Sequence, residues 1–195
     1  MSLAMEVPQV DGLQVGKLIG SGGSGRVYQA RDVAGVAVAL KVFDENAICG
    51  ALLKKMTERL AVGGWPEGVM PLISSHFGER RSYRVMPLVA DADAEAQPRP
   101  RSLQMSLDGH PGDDTWKLVG SLARALASMH RRRVPHGNLK PGNVFFSDDG
   151  DVLLSDWATG NIPGARQFHF TDALLYQPPE QLRQPAGYVD EAGYP

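Results

Sequence analysis

Apolar and polar residues alternate through the first third of the chain. LQVGKLI from Leu13, GRVYQARD from Gly25 and VAVALKVF from Val36 each predict a short strand, separated by glycine-rich and DVAG turns. From Asn46 to Val62 the period lengthens. Leu52, Leu53, Met56 and Leu60 recur at helical spacing, with Lys54, Lys55, Glu58 and Arg59 between them, and GGWPEG ends the helix. Two more strands are expected, VMPLISSHF (69–77) and SYRVMPLV (82–89), joined by a polar turn at Gly78-Glu79-Arg80.

Residues 90–112, rich in Ala, Asp and Pro, predict a linker with at most a short helix. A clear helix follows, capped by Asp114 or Thr115, with Trp116, Val119, Leu122, Leu126 and Met129 on one apolar face. Its end carries Arg131, Arg132 and Arg133. That run is read as cations favoured at a helix C-terminus, with a docking patch as the lesser reading. VFFSDDGDVLLSDW predicts a hairpin around Asp148-Asp149-Gly150. The division this suggests is an N-terminal extension (1–11), a strand-rich lobe (12–87), a hinge and linker (88–112) and a helical lobe (113–195). Pattern alone supports an α+β, two-lobed chain.

Composition narrows the partners. A chain of 195 residues with 43% apolar and 22% charged residues is ordinary for a folded soluble protein. A formal charge of -2 gives no reason to expect nucleic acid or an acidic membrane as the main partner. The single cysteine, Cys49, excludes an internal disulfide and suits a cytoplasmic setting. No apolar run is long enough to span a membrane. The opening MSLAM lacks the charge and apolar length of a signal peptide and reads as a non-native addition, with Met5 the native start.

Five stretches carry candidate chemistry. GSGGSGRVY spaces Gly20, Gly22 and Gly25 as G-x-G-x-x-G. A second strand follows rather than a helix, which argues against a dinucleotide fingerprint. A hairpin able to lie over phosphates and a plain turn both remain open. Lys41 lies inside an apolar strand, where a cation is costly to bury unless it meets an anion; an edge lysine reaching solvent is the alternative. Further on come HGNLKPGN (136–143), SDWATG with Asp156, and YQPPE ending at Glu180.

In this order and spacing, from about Leu13 to Glu180, the set resembles eukaryotic-type protein kinases, closest to bacterial Ser/Thr kinase-like domains. The resemblance implies a two-lobed fold with a five-stranded antiparallel N-lobe sheet and one helix, a hinge at Met86 to Val89, and a mainly helical C-lobe. It implies ATP and Mg²⁺ as cofactors. Gly20, Gly22 and Gly25 would cover the phosphates, Lys41 would hold the α and β phosphates, and Lys140 would approach the γ-phosphate. Asn143 and Asp156 would bind Mg²⁺. Val27, Ala39 and Phe145 would sandwich adenine, with Met86 as gatekeeper and Leu88 beside it, while Leu60, His136 and Trp157 would form the spine joining the lobes.

The departures fall on catalysis and regulation. The catalytic aspartate aligns with Asn138, whose neutral carboxamide has no useful basicity. The arginine before it is Gly137, and an activation-segment threonine aligns with Ala173. The family's spacing places Met56, not Glu58, opposite Lys41, so that Lys41 would lack its usual partner unless Asp156 serves. Only 15 residues follow Glu180, so the C-lobe is expected to be truncated after the A-P-E-like motif, as a fragment or a short domain, with self-association through the uncovered face. Three functions remain: a catalytically impaired pseudokinase that binds ATP and Mg²⁺ and serves an unidentified protein partner as a signalling scaffold or allosteric module, a slow Ser/Thr kinase, and a ligand-free interaction domain.

Overall fold

The computed structural model describes residues 8–44, 50–78, 81–91, 98–107, 115–159 and 176. Strands β1 (Gln14–Gly22), β2 (Gly25–Arg31), β3 (Ala37–Phe43), β4 (Ser74–Phe77) and β5 (Ser82–Pro87) form one antiparallel sheet in the order β1-β2-β3-β5-β4. Side chains alternate across a strand, so β3 divides its residues between two cores. Val38 and Leu40 join Tyr28, Ala30 and Val85 on one face. Ala39 packs with Met86 on the other face, and Phe43 with helix α1 (Gly50–Ala61). Both faces are therefore covered, which buries Lys41 and Arg84 at positions where a one-sided sheet would expose them.

Helix α1 turns Leu53, Met56 and Leu60 inward and leaves Glu58 exposed. Gly63 and Gly64 stop it, both at positive φ, and the Gly64 N–H bonds back to the Ala61 carbonyl at 3.1 Å. The inward residues of α1 share one core with Val69, Ala125, Met129, Val134, Val144, Val152, Leu154 and Trp157. This cluster joins the sheet lobe to the helical lobe.

The stretch read as a linker holds the short strands β6 (Ala90–Asp91) and β7 (Arg99–Pro100), paired with each other, and helix α2 (Leu103–Leu107). Arg101 anchors it through Asp148. Helix α3 (Thr115–Arg131) leads to the loop 132–140, a 3₁₀ turn at Pro141–Asn143, and the hairpin β8 (Val144–Phe146) and β9 (Val152–Leu154). Among the described residues no helix is long and apolar enough to cross a membrane.

Two expectations need correction. VMPLISSHF is not one strand: only Ser74–Phe77 pairs with β5, while Val69 and Met70 are buried in a loop tied to Leu154. The apolar face of α3 is also rotated from its expected place. Trp116 and Val119 are exposed, and the inward side is Leu118, Leu122, Ala125, Leu126 and Met129. Of the arginine run, Arg132 donates to the carbonyls of Ser128 (3.0 Å), Gly64 (3.2 Å) and Val62 (3.4 Å), tying the end of α3 to the end of α1.

Candidate functional site

The glycine-rich segment is the hairpin between β1 and β2, with Gly22 opposite Gly25 and Gly20 opposite Val27. Only the last of its three motif glycines is demanded by the chain itself. Gly25 has φ +144°, and a Cβ there would lie 2.2 Å from the Val42 carbonyl oxygen. A Cβ on Gly20 would make one ordinary contact, at 3.8 Å to Val27, and one on Gly22 would meet nothing within 4 Å. Internal packing therefore does not require glycine at positions 20 and 22.

Below this hairpin the two lobes bring apolar residues together. Ala39, Met70, Met86 and Val89 are buried as one cluster, with Val27, Leu72, Leu88, Phe145 and Leu153 packed on it. The residues expected to flank an adenine, Val27, Ala39 and Phe145, lie in this cluster with Met86 and Leu88.

Lys41 lies beside that cluster. Its ammonium is paired with the Asp156 carboxylate and donates to the Ser24 hydroxyl at 2.8 Å. Burial pushes the Lys41 ammonium below its ordinary value, against the opposing pull of Asp156. Burial pushes the Asp156 carboxyl up, but Lys41, its hydrogen bond and Arg84 together hold it below the ordinary value. Asp156 has φ +61°, a left-handed conformation that aspartate tolerates better than most residues. Met56, on α1, is 3% exposed.

A second cation stands next to the first. Arg84 on β5 is the direct cross-strand partner of Lys41 on β3 and is 2% exposed. Its guanidinium carbon lies 3.6 Å from the centroid of the Trp157 ring, and the rings of Phe43 and Phe77 lie within 6 Å. Nη1 donates to the Trp157 carbonyl at 3.2 Å, while Nε and Nη2 have no acceptor among the described residues. Burial lowers its pKa to about 9, with Asp156 opposing, so the group stays charged at neutrality. A buried donor without a partner costs about 1–3 kcal/mol, and more when it belongs to a charged group.

The loop 136–143 is organised around Asn138. Its amide nitrogen donates to Asp156 Oδ2 at 3.3 Å and to the Thr159 hydroxyl at 3.1 Å. The Thr159 hydroxyl donates to the Asp156 carbonyl at 2.7 Å. The Asn143 amide donates to the Asn138 carbonyl at 2.6 Å, and the Ser155 N–H to the Asn143 carbonyl at 2.8 Å. Asn138 therefore ties its loop to the segment that carries Asp156, a role that needs an N–H donor. Gly137 has φ +72°, a conformation in which a longer side chain is strained.

His136 is buried. Its Nδ1 accepts the Asn138 backbone N–H at 3.2 Å, and its carbonyl accepts from Ala158 at 2.7 Å. Burial lowers its pKa to about 4. Leu60 and Trp157 lie in one core cluster, and Trp65 stands 5.9 Å from Trp157 between ring centroids. Lys140 is partly buried, and its charge bears on the Lys41 ammonium.

As arranged, this donor set does not suit Mg²⁺. Both carboxylate oxygens of Asp156 are engaged by nitrogen donors, one from Lys41 and one from Asn138. A cation there would share those oxygens with both donors. Among the described residues no group of three or more His, Cys, Asp or Glu is placed to hold a metal. Ala173, Glu180 and the face expected to self-associate lie outside the described residues.

Sequence reading missed Ser24, Thr159 and Arg84. For Arg84 a signal was present, since period-two alternation puts it on the same face as Met86, but a polar residue in such a strand ordinarily reads as facing solvent.

A family model described as "Protein kinase domain" matches residues 13–192. An Aurora kinase of Schizosaccharomyces pombe is 26% identical over 175 residues, 87% of this chain and 47% of that protein. The putative CBL-interacting protein kinase 13 of Oryza sativa is 32% identical over 190 residues, 92% of this chain and 35% of that protein. The serine/threonine-protein kinase PknL of Mycobacterium tuberculosis is 28% identical over 173 residues, 85% of this chain and 42% of that protein. The chain spans about half the length, or less, of these curated relatives.

Proposed function

The chain belongs to the protein kinase domain family, and on that premise we propose that it is a nucleotide-binding pseudokinase, in which phosphoryl transfer is impaired and shape carries the signal to a protein partner. Family membership implies ATP with Mg²⁺ in general. The observation that carries the proposal for this chain is the use made of Asn138. Its amide is a donor to Asp156 and Thr159, where transfer to a hydroxyl calls for a group that accepts a proton. Losing a general base lowers a rate by about 10² to 10⁴ and leaves binding groups in place. Those groups are the apolar cluster around Ala39 and Met86, the bare backbone at Gly20 and Gly22, and Lys41.

The direct test is a thermal shift with ATP, paired with a phosphate-transfer assay on a generic protein substrate. The proposal expects a shift that Lys41→Ala removes, and no transfer above background. Saturating ligand at about 100 times its dissociation constant stabilises by about 2.7 kcal/mol, so absence of any shift points to a ligand-free interaction domain instead.

Retention of the Lys41–Asp156 pair favours one other reading, slow Ser/Thr phosphorylation driven by positioning and charge. Asn138→Asp separates the two. A large gain in transfer supports the slow kinase; no gain supports the pseudokinase.

A further inference from the structure

We propose that Arg84, together with Lys41, supplies the positive charge that a divalent cation brings to a kinase site, so that this pocket binds a nucleoside polyphosphate without metal. The inference rests on the nucleotide-binding proposal and specifies its charge balance.

Directly opposed residues of neighbouring antiparallel strands point to the same face, so Lys41 and Arg84 rise side by side, Lys41 onto Asp156 and Arg84 onto the adjacent Trp157. Both are almost fully buried. The carboxylate that bears on both is Asp156, and it is already bound to Lys41 and Asn138. One carboxylate cannot neutralise two cations, and Nε and Nη2 of Arg84 remain without acceptors among the described residues. Against the pattern the family resemblance implies, the chain lacks two carboxylates, at Met56 and Asn138, and one arginine, at Gly137, and carries the additional cation Arg84. Lys140 adds a further positive charge whose field reaches Lys41.

A polyphosphate brought to Lys41 therefore meets an excess of positive charge that is weakly screened by the aromatic side chains around Arg84. A divalent cation would add to that excess and would compete with Lys41 and Asn138 for Asp156. Stacking on Trp157, Phe43 and Phe77 offsets part of the cost of burying the Arg84 charge, but Nε and Nη2 are left without acceptors among the described residues.

Isothermal titration calorimetry on the whole chain decides it, with ATP in EDTA, ATP in Mg²⁺, and adenosine as a ligand without phosphates. The expected result is an ATP affinity in EDTA equal, within about threefold, to that in Mg²⁺. Arg84→Met should weaken metal-free ATP binding by about 10- to 100-fold, the value of one charge-assisted interaction, and leave adenosine binding unchanged. Arg84→Lys should retain metal-free binding. Wild-type binding of ATP only in Mg²⁺ overturns the inference while leaving nucleotide binding intact. Unchanged metal-free affinity in Arg84→Met overturns it too and reduces Arg84 to a packing role. No binding of ATP or adenosine under any condition removes the nucleotide-binding proposal and this inference together. The wild-type comparison alone suffices where a variant fails to fold.

Discussion

The guanidinium of Arg84 lies 3.6 Å from the ring of Trp157 and donates to that residue's carbonyl oxygen. One side chain of the sheet lobe thereby holds both the ring and the backbone of the segment after β9. Trp157 is 1% exposed and lies in the core that joins the lobes. Trp157→Ala should lower unfolding free energy by about 3–5 kcal/mol, the range for truncating a buried aromatic residue, read from urea denaturation.

Asn138 supplies a donor where the resemblance expects a carboxylate. Asn138→Asp sets a second carboxylate against Asp156 and removes the bond to Oδ2. Stability at neutral pH should fall by about 1–3 kcal/mol. Asn138→Ala removes the same donor without adding charge, so the difference between the two variants in denaturant midpoint isolates the repulsion.

His136 makes stability depend on pH. Its ordinary pKa of 6.5 is lowered to about 4 in the folded chain, so between these values the unfolded chain binds more protons. The contribution is fully present above about 6.5 and is lost as pH falls toward 4. It amounts to at most about 3 kcal/mol. Asp156, held below its ordinary 3.8, acts only at lower pH. Urea midpoints at pH 7 and pH 5 should differ in the wild-type chain and differ less in His136→Leu.

The three motif glycines should separate cleanly. Gly25→Ala meets the Val42 carbonyl at 2.2 Å and should cost more than about 2 kcal/mol of stability. Gly20→Ala and Gly22→Ala should stay within about 0.5 kcal/mol of wild type. Both should nonetheless weaken ATP binding, which calorimetry on the folded variants would show.

Ala158 stands where a D-F-G motif carries glycine, and it has φ +59°. A left-handed alanine costs about 1–2 kcal/mol, against about 0.8 kcal/mol for its buried methyl group. Ala158→Gly should therefore raise stability by up to about 1 kcal/mol, visible as a higher melting temperature.

Strands β1 to β3 and the β8–β9 hairpin were legible because alternation and turn residues agreed there. The inward position of Met56 and outward position of Glu58 followed from helical geometry. Val69 and Met70 misled, because a buried loop and a buried strand are equally apolar. Trp116 and Val119 misled because an apolar stripe gives a helix its period but not its partner, and nothing described covers the first turns of α3. In the site, the lysine, the loop asparagines and the apolar lining follow from spacing and resemblance. Arg84 does not. Its burial results from two faces of one sheet being covered at once, a property of the assembled lobes rather than of any short stretch.

Methionine at position 56 has a last consequence, for how occupancy is communicated. With no carboxylate turned inward from α1, the buried face of the helix is hydrocarbon: Leu53, Met56 and Leu60. Hydrocarbon contacts do not register whether Lys41 is engaged by Asp156 or by a phosphate. Nucleotide should slow deuterium exchange of the α1 amides no more than that of the rest of the core, the shared slowing being the global stabilisation. A partner reading that helix would sense that the domain is present and folded, and would be blind to what the cleft contains.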